Sequence, residues 1–307
     1  MYKIGHNTEY WYDENNPEKS LRYIAECGIE SIDYDICSFF DKTFDLENMT
    51  SFFDKSIEEL CVHYDRTKKA MKENNLVYSQ WHGIFPMYYP DDQKRTEYIL
   101  QITDKIIALC AYMECPAIVM HAWTGKHLTK EEEMEINLKL YRRIIPAAKK
   151  YGVKICLENL FSRYSRECVE GACSDAREAV QYIDMLNEEA GEEVFCFCLD
   201  TGHANLLGKN LYQYIKTLGK RLQHLHINEN EKRNDNHMIP YTQLDIENKK
   251  PGINWDEFLR GLKEVGYEGD LCFETHKGFR MLPEEVRQDG VRLISSIGRY
   301  FRKRLTE

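Results

Sequence analysis

The 307-residue sequence predicts an α/β chain folded as a single (β/α)8 TIM barrel over residues 1–307. Three observations predict it. Short apolar runs alternate with amphipathic segments about eight times, the pattern of a parallel sheet built from strand–helix units. No Pro-, Gly- or Ser-rich linker interrupts them, and roughly 250–300 residues is an ordinary length for one closed barrel. The turn after the first run, Gly5-His6-Asn7-Thr8-Glu9, lacks the G-x-G-x-x-G phosphate loop that an open dinucleotide-binding sheet would want.

Taken in order, Tyr2 to Asn7 reads as the first strand. Leu21, Ile24 and Ala25 share one helical face over Pro17 to Gly28, with Gly28 a fitting stop. Ser31 to Ile36 alternates as a strand, and Ser51 to Asn74 reads as one long helix. Leu76 to His82 is the third strand, followed by a Pro- and Tyr-rich loop and a helix from Asp92 to Met113. Ala117 to Trp123 is the fourth strand; Lys130 to Tyr151 is a helix with Gly152 past its end. Val153 to Leu160 is the fifth strand, and Ser174 precedes a helix over Asp175 to Glu189. Val194 to Asp200 is the sixth, with Thr201 and Gly202 expected to turn and a helix at Leu211 to Leu218. Leu222 to Asn228 is the seventh, followed by a polar loop over Glu229 to Gly252 and a helix over Trp255 to Val265. Asp270 to Thr275 is the eighth strand, and a last helix over Glu284 to Arg302 follows Pro283.

Composition narrows the class. The N-terminus has no apolar signal-like region, and no run approaches the roughly 18 apolar residues of a membrane span. With eleven cysteines, this points to a reducing, cytoplasmic setting without a membrane partner. Cys196 and Cys198 share one strand face and read as core residues. A net charge of −10 argues against a nucleic-acid partner, because phosphate-backbone binding rests on Lys and Arg.

In such a barrel chemistry sits at the C-terminal strand ends. Here those ends carry His82, His121, Glu158 with Asn159, Asp200 followed by His203, His224 and His226, and Glu274 followed by His276. The loop after the seventh strand adds Asp235 and His237. Carboxylates converging on a barrel mouth repel one another and lose solvation; a divalent cation removes both objections, and His/Asp/Glu sets are its usual ligands. One such residue alone is bland: Asp200, for instance, also fits the cap of a short helix. Carboxylates on the fifth, sixth and eighth strands plus a histidine on the seventh point to a metal site. His226 is nearer the mouth than His224, which reads as core or as a support. His63 reads as a packing residue, while His127 and His276 stand on mouth loops within reach of a substrate, with nothing else in the sequence marking them as contacts. Trp81, Trp123 and the tyrosines near Tyr88 fit a platform for a sugar ring or packing at the barrel rim. Lys232, Arg233, Lys249, Lys250, Lys277 and Arg280 fit either a phosphate site or a solvated basic loop.

The motifs Leu157-Glu158-Asn159, Leu199-Asp200-Thr201-Gly202-His203-Ala204-Asn205, His224-Leu225-His226-Ile227-Asn228, Asp235-x-His237 and Phe273-Glu274-Thr275 resemble the xylose-isomerase-like superfamily of TIM barrels. The resemblance covers essentially the whole chain. That superfamily holds sugar and sugar-phosphate isomerases and epimerases as well as endonuclease IV-type abasic-site nucleases. The epimerase likeness implies one divalent ion (Mn2+, Zn2+, Co2+ or Mg2+) on Glu158, Asp200, His226 and Glu274. It also implies that Glu158 and Glu274 transfer the proton through an enediolate, and that His203 meets the substrate; Trp123 and Lys232 are further substrate-contact candidates by their place at the mouth. The partner so implied is a small sugar or sugar phosphate; such barrels also commonly form homo-oligomers.

The nuclease likeness implies two or three Zn2+, with His82, His121, His203, Asp235 and His237 as further ligands. A lyase or dehydratase acting on a sugar or cyclitol, and a sugar-binding protein on an inactive barrel, are the other readings; product analysis and turnover separate them. Two departures stand out. Tyr164 replaces a glutamate that the epimerases carry six residues after the first metal glutamate, and Lys232 replaces an arginine six after the metal histidine.

Overall fold

The computed structural model describes residues 2–125, 128–245 and 250–307. Eight parallel strands alternate with eight main helices: β1 (Ile4–Asn7), α1 (Pro17–Glu26), β2 (Ser31–Asp35), α2 (Ile57–Glu73), β3 (Val77–His82), α3 (Gln93–Tyr112), β4 (Ala117–Met120), α4 (Lys130–Tyr151), β5 (Lys154–Glu158), α5 (Ala176–Ala190), β6 (Phe195–Asp200), α6 (Leu211–Leu218), β7 (Leu222–His226), α7 (Trp255–Val265), β8 (Leu271–Phe273) and α8 (Arg287–Thr306). From β1 to β7 each strand pairs with the next, and β8 pairs with β1. The seam between β7 and β8 is closed by Ile227, whose N–H donates to Cys272 O at 2.8 Å, while Glu274 N–H donates to Ile227 O at 3.1 Å.

Alternation along the strands sorts two interiors. On β5 and β6, Ile155, Leu157, Phe195, Phe197 and Leu199 face the helices and join the main core. The residues between them face the barrel axis: Cys156, Cys196 and Cys198 form a small inner cluster with Ala117 and Val119. The axis is thus lined here mainly by small side chains, and Glu158 and Asp200 continue the same inward faces to the mouth.

Local signals explain most ends. Ser56 and Glu59 form a capping box at α2, and Thr129 and Glu132 form one at α4. Gly152 ends α4 with φ 65°, in the left-handed region. The expected single helix over Ser51 to Asn74 is divided because Ser51 with Asp54 caps a separate 3-10 turn just before Ser56 starts α2. The last helix likewise begins with a 3-10 turn at Glu284–Val286 and only then becomes α8. Elements outside the sequence expectation include short helices at Ile36–Thr43, Thr201–Leu206 and His276–Arg280, a hairpin made of Phe161–Tyr164 and Glu167–Glu170, and the antiparallel pair Leu244–Asp245 with Lys250–Pro251 inside the expected polar loop. No helix among the described residues is long and apolar enough to cross a membrane.

Candidate active site

Asp200 is both the last residue of β6 and the cap of the short helix that follows: its Oδ1 accepts from His203 N–H at 2.6 Å. The expected turn at Thr201-Gly202 is therefore helical, and the cap and the mouth carboxylate are one residue. Its other oxygen accepts from Asn228 Nδ2 at 2.7 Å. Gly202 is required there, since a Cβ would overlap Asn228 Oδ1. Asn159, next to Glu158, clamps the two strand ends: its Nδ2 donates to Asp200 O and its Oδ1 accepts from Asp200 N–H, each at 2.8 Å.

Glu158, Asp200, His226 and Glu274 are all buried, and their candidate ligand atoms lie within 4.8 Å of one another. His226 Nδ1 stands 3.3 Å from Glu158 Oε1 and 3.5 Å from Glu274 Oε2. On its far side, His226 Nε2 lies 3.1 Å from Asp33 Oδ2, which also accepts from Asn7 Nδ2 at 3.1 Å. Three further sets share or flank this quartet, one of them His237, Glu274 and His276. His82 and His121 gather on Glu158, with His121 Nε2 2.8 Å from Glu158 Oε2. His203, Asp235 and His237 form the third, with His237 Nε2 2.8 Å from Asp235 Oδ2 and His203 Nε2 3.6 Å from Asp235 Oδ1.

The electrostatics are those of an anionic cluster that demands positive charge. Burial opposes ionisation, yet His226, His121 and His203 hold the Glu158 carboxyl well below its usual range; His226 and His237 do the same for Glu274. Burial pushes Asp200 up to about 6, against the pull of His203. Burial likewise disfavours the imidazolium of His203, but Asp200 and Asp235 raise it to about 10. His226 and His237 are also raised against burial, His226 by Cys198, Glu274 and Glu158 and His237 chiefly by Glu274 and Asp235. The raised imidazoles mark where the carboxylates call for positive charge, which a divalent ion would also supply. Three carboxylates and one imidazole whose Nδ1 has no hydrogen-bond partner fit such an ion.

The other sequence candidates fall around this cluster. Trp123 is half-buried at the rim, its ring edge-on to Tyr88 at 5.0 Å, and Trp81 is packed in the core. Lys232 is exposed and lines a cavity of about 240 Å³ with Asn205, Lys209 and Asn254. Tyr164 is 72% exposed on the hairpin. Lys277 Nζ lies 2.8 Å from Asp235 Oδ2, and Arg280 donates to Tyr10 Oη at 3.0 Å. His276 is buried, 3.4 Å from Glu9 Oε2 and 4.2 Å, ring to ring, from His237. His63 packs edge-on to Phe52. His127 and Lys249 lie outside the described residues. Asp33 and His6 were not singled out by the sequence reading. Asp33 backs His226, and buried His6 has its Nε2 3.1 Å from Thr275 Oγ1, beside Glu274. The signal for both was a polar residue on the inward face of an apolar strand.

Residues 21–297 match the family model of xylose isomerase-like TIM barrels, and the chain belongs to that family. It is 26% identical over 154 residues to a D-psicose 3-epimerase of Ruminiclostridium cellulolyticum, covering 48% of this chain and 43% of that protein. The chain spans about half the length of the curated relatives it matches. Its fold is that of the 3-keto-D-glucoside 4-epimerase YcjR from E. coli, with TM-score 0.70, 18% identity and coverage of 98% of this chain and 100% of that one. It is equally that of a D-psicose 3-epimerase solved in the presence of D-fructose, with TM-score 0.71, 16% identity and coverage of 97% and 99%.

Proposed function

We propose that this chain is a divalent-metal-dependent epimerase or isomerase of a ketose or related keto-sugar. The observation that carries the reading is the buried quartet Glu158, Asp200, His226 and Glu274, in which two glutamates from strands well apart around the barrel face one another across His226. A divalent ion held by the quartet would supply the positive charge that stabilises the enediolate oxygen of a deprotonated sugar. Glu158 removes the proton beside the carbonyl from one face and Glu274 returns it from the other. His121 fixes the outer oxygen of Glu158. Thr201 and Asn228 just past the ends of β6 and β7, and Asn159 past the end of β5, hold the framework around them. Lys277 and Arg280 are engaged by Asp235 and Tyr10, which favours an unphosphorylated sugar.

A second reading is an endonuclease IV-type phosphodiesterase that uses two or three Zn2+ on abasic DNA. It is favoured by one observation: the nine mouth residues fall into three ligand sets, two of which share Glu158. Lys277 weighs against it, because its ammonium already stands at Asp235 where a third cation would need that carboxylate.

Metal content per chain, measured on protein purified without chelator, tests the choice. The expected result is about one ion, with epimerisation of D-psicose, D-fructose or D-tagatose lost in EDTA and restored by Mn2+. Two to three zinc ions together with nicking of an abasic-site duplex would replace this reading by the second.

A further inference from the structure

We propose a second metal site inside the barrel, one inward-facing layer below the mouth, in which Cys156, Cys196 and His224 take a thiophilic divalent cation of the zinc class. Register brings the three together. Cys156 on β5 is the direct partner of Cys196 on β6, with their Sγ atoms 2.7 Å apart. The next strand contributes His224, and one ligand atom from each residue lies within 4.8 Å of the others. The histidine is oriented for the task. Its Nδ1 lies 2.9 Å from Gln80 Oε1, so Nδ1–H donates there and Nε2 keeps its lone pair. Gln80 is itself steered by Cys198, its Nε2 lying 3.8 Å from that sulfur.

Charge and softness select the ion. Ala117, Val119 and Cys198 are buried beside the two cysteines. Two thiolates and a neutral imidazole around a divalent cation sum to zero, so no net charge is buried. Sulfur ligands favour zinc-class ions, whereas the carboxylate-rich quartet above suits harder ones, and the two sites sort metals by donor type. Binding displaces one proton from each thiol, two per ion, as two S–metal bonds replace two S–H bonds. Bonds of about 2.3 Å at tetrahedral angles place the sulfurs roughly 3.7 Å apart, which the cysteines reach by opening about 1 Å. His224 also lines a cavity of about 510 Å³ at the N-terminal end of the barrel, with Gln223, Tyr267 and Gly269. That cavity offers an entry path and a solvent molecule for the fourth position.

Cobalt substitution tests the site. Apoprotein prepared with chelator and reductant is titrated with Co2+ and read for sulfur-to-cobalt charge-transfer absorption in the near ultraviolet, which ligands of oxygen and nitrogen alone do not give. The band is expected in the wild type and in Glu274→Gln, and lost in Cys196→Ser and Cys156→Ser. The Glu274→Gln arm separates this site from the quartet, so either can fail alone. Should the serine variants not fold, alkylation of wild-type protein with and without Zn2+ replaces them, with protection of Cys156 and Cys196 expected in the mapped peptides. No thiolate band in the wild type, a band that persists in both serine variants, equal alkylation with and without zinc, or a Cys156–Cys196 disulfide in the native protein overturns the proposal.

Discussion

Replacing Asp33 by Asn removes a charge from behind His226 while keeping the shape of the side chain. Asp33 is fully buried, and its Oδ2 lies 3.1 Å from His226 Nε2. A carboxylate there fixes which imidazole nitrogen carries the proton and turns Nδ1 toward Glu158 and Glu274. In the variant the amide either accepts from Nε2–H without charge or turns its NH2 toward another donor. A hydrogen bond to a charged group is worth about 1.5–3 kcal/mol, and each 1.4 kcal/mol is about tenfold in an equilibrium constant. Metal affinity should therefore fall roughly 10- to 100-fold, in line with other supports of metal-bound histidines. Titration of chelator-stripped protein with Mn2+, by calorimetry or water-proton relaxation, gives the dissociation constant. Turnover at saturating Mn2+ should recover to within about tenfold of wild type, because Asp33 acts through His226 and not on the sugar. A dissociation constant within roughly twofold of wild type would refute the assignment of Asp33 as the support of a metal ligand.

Three further outcomes are expected. Glu158→Gln and Glu274→Gln should each lower ketose turnover by about 10²–10⁴-fold, the usual worth of a positioned acid or base; following exchange of the sugar proton in D2O by NMR shows which face each residue serves. Glu14, held by Tyr34, is pushed by burial up to about 7 from 4.5. Its folded form therefore keeps a proton that the unfolded chain releases, so this contribution is full below about pH 4.5 and is lost as pH rises through 7. Glu14→Gln should gain up to about 3 kcal/mol of relative stability at pH 8 and little at pH 4, read from denaturant midpoints at the two pH values. Gly202→Ala should destabilise the protein by about 1–3 kcal/mol, the range of overpacked sites. It should also weaken metal binding, because Asn228 must move and with it the bond to Asp200; thermal unfolding with and without Mn2+ measures both.

The barrel strands were legible because their outward faces are apolar and their inward faces end in titratable groups. Glu158, Asp200, His226 and Glu274 could be placed at one mouth from strand ends alone. Asp33 could have been found by the same alternation, since Ser31, Asp33 and Asp35 share a strand face. The missed elements have weaker signals. The hairpin turns at Ser165 with φ 57°, a left-handed residue that Asn or Gly would have announced. The helix Ile36–Thr43 is capped by Asp35, whose Oδ1 accepts from Ser38 N–H, but it is too short for its periodicity to separate it from a loop. The layer of Cys156, Cys196 and His224 depends on strand register, which spacing within one strand does not reveal.

The Asn159 clamp has a consequence for how this chain changes over generations. The rung between the ends of β5 and β6 is made by a side-chain amide and the backbone of Asp200, so it draws nothing from the hairpin that follows. That hairpin carries its own antiparallel ladder from Phe161 to Glu170. Residues that overhang the mouth can be replaced or lengthened without disturbing the spacing of Glu158 and Asp200. On the proposed function, substrate choice can change with the loop while the frame of Glu158 and Asp200 keeps its spacing.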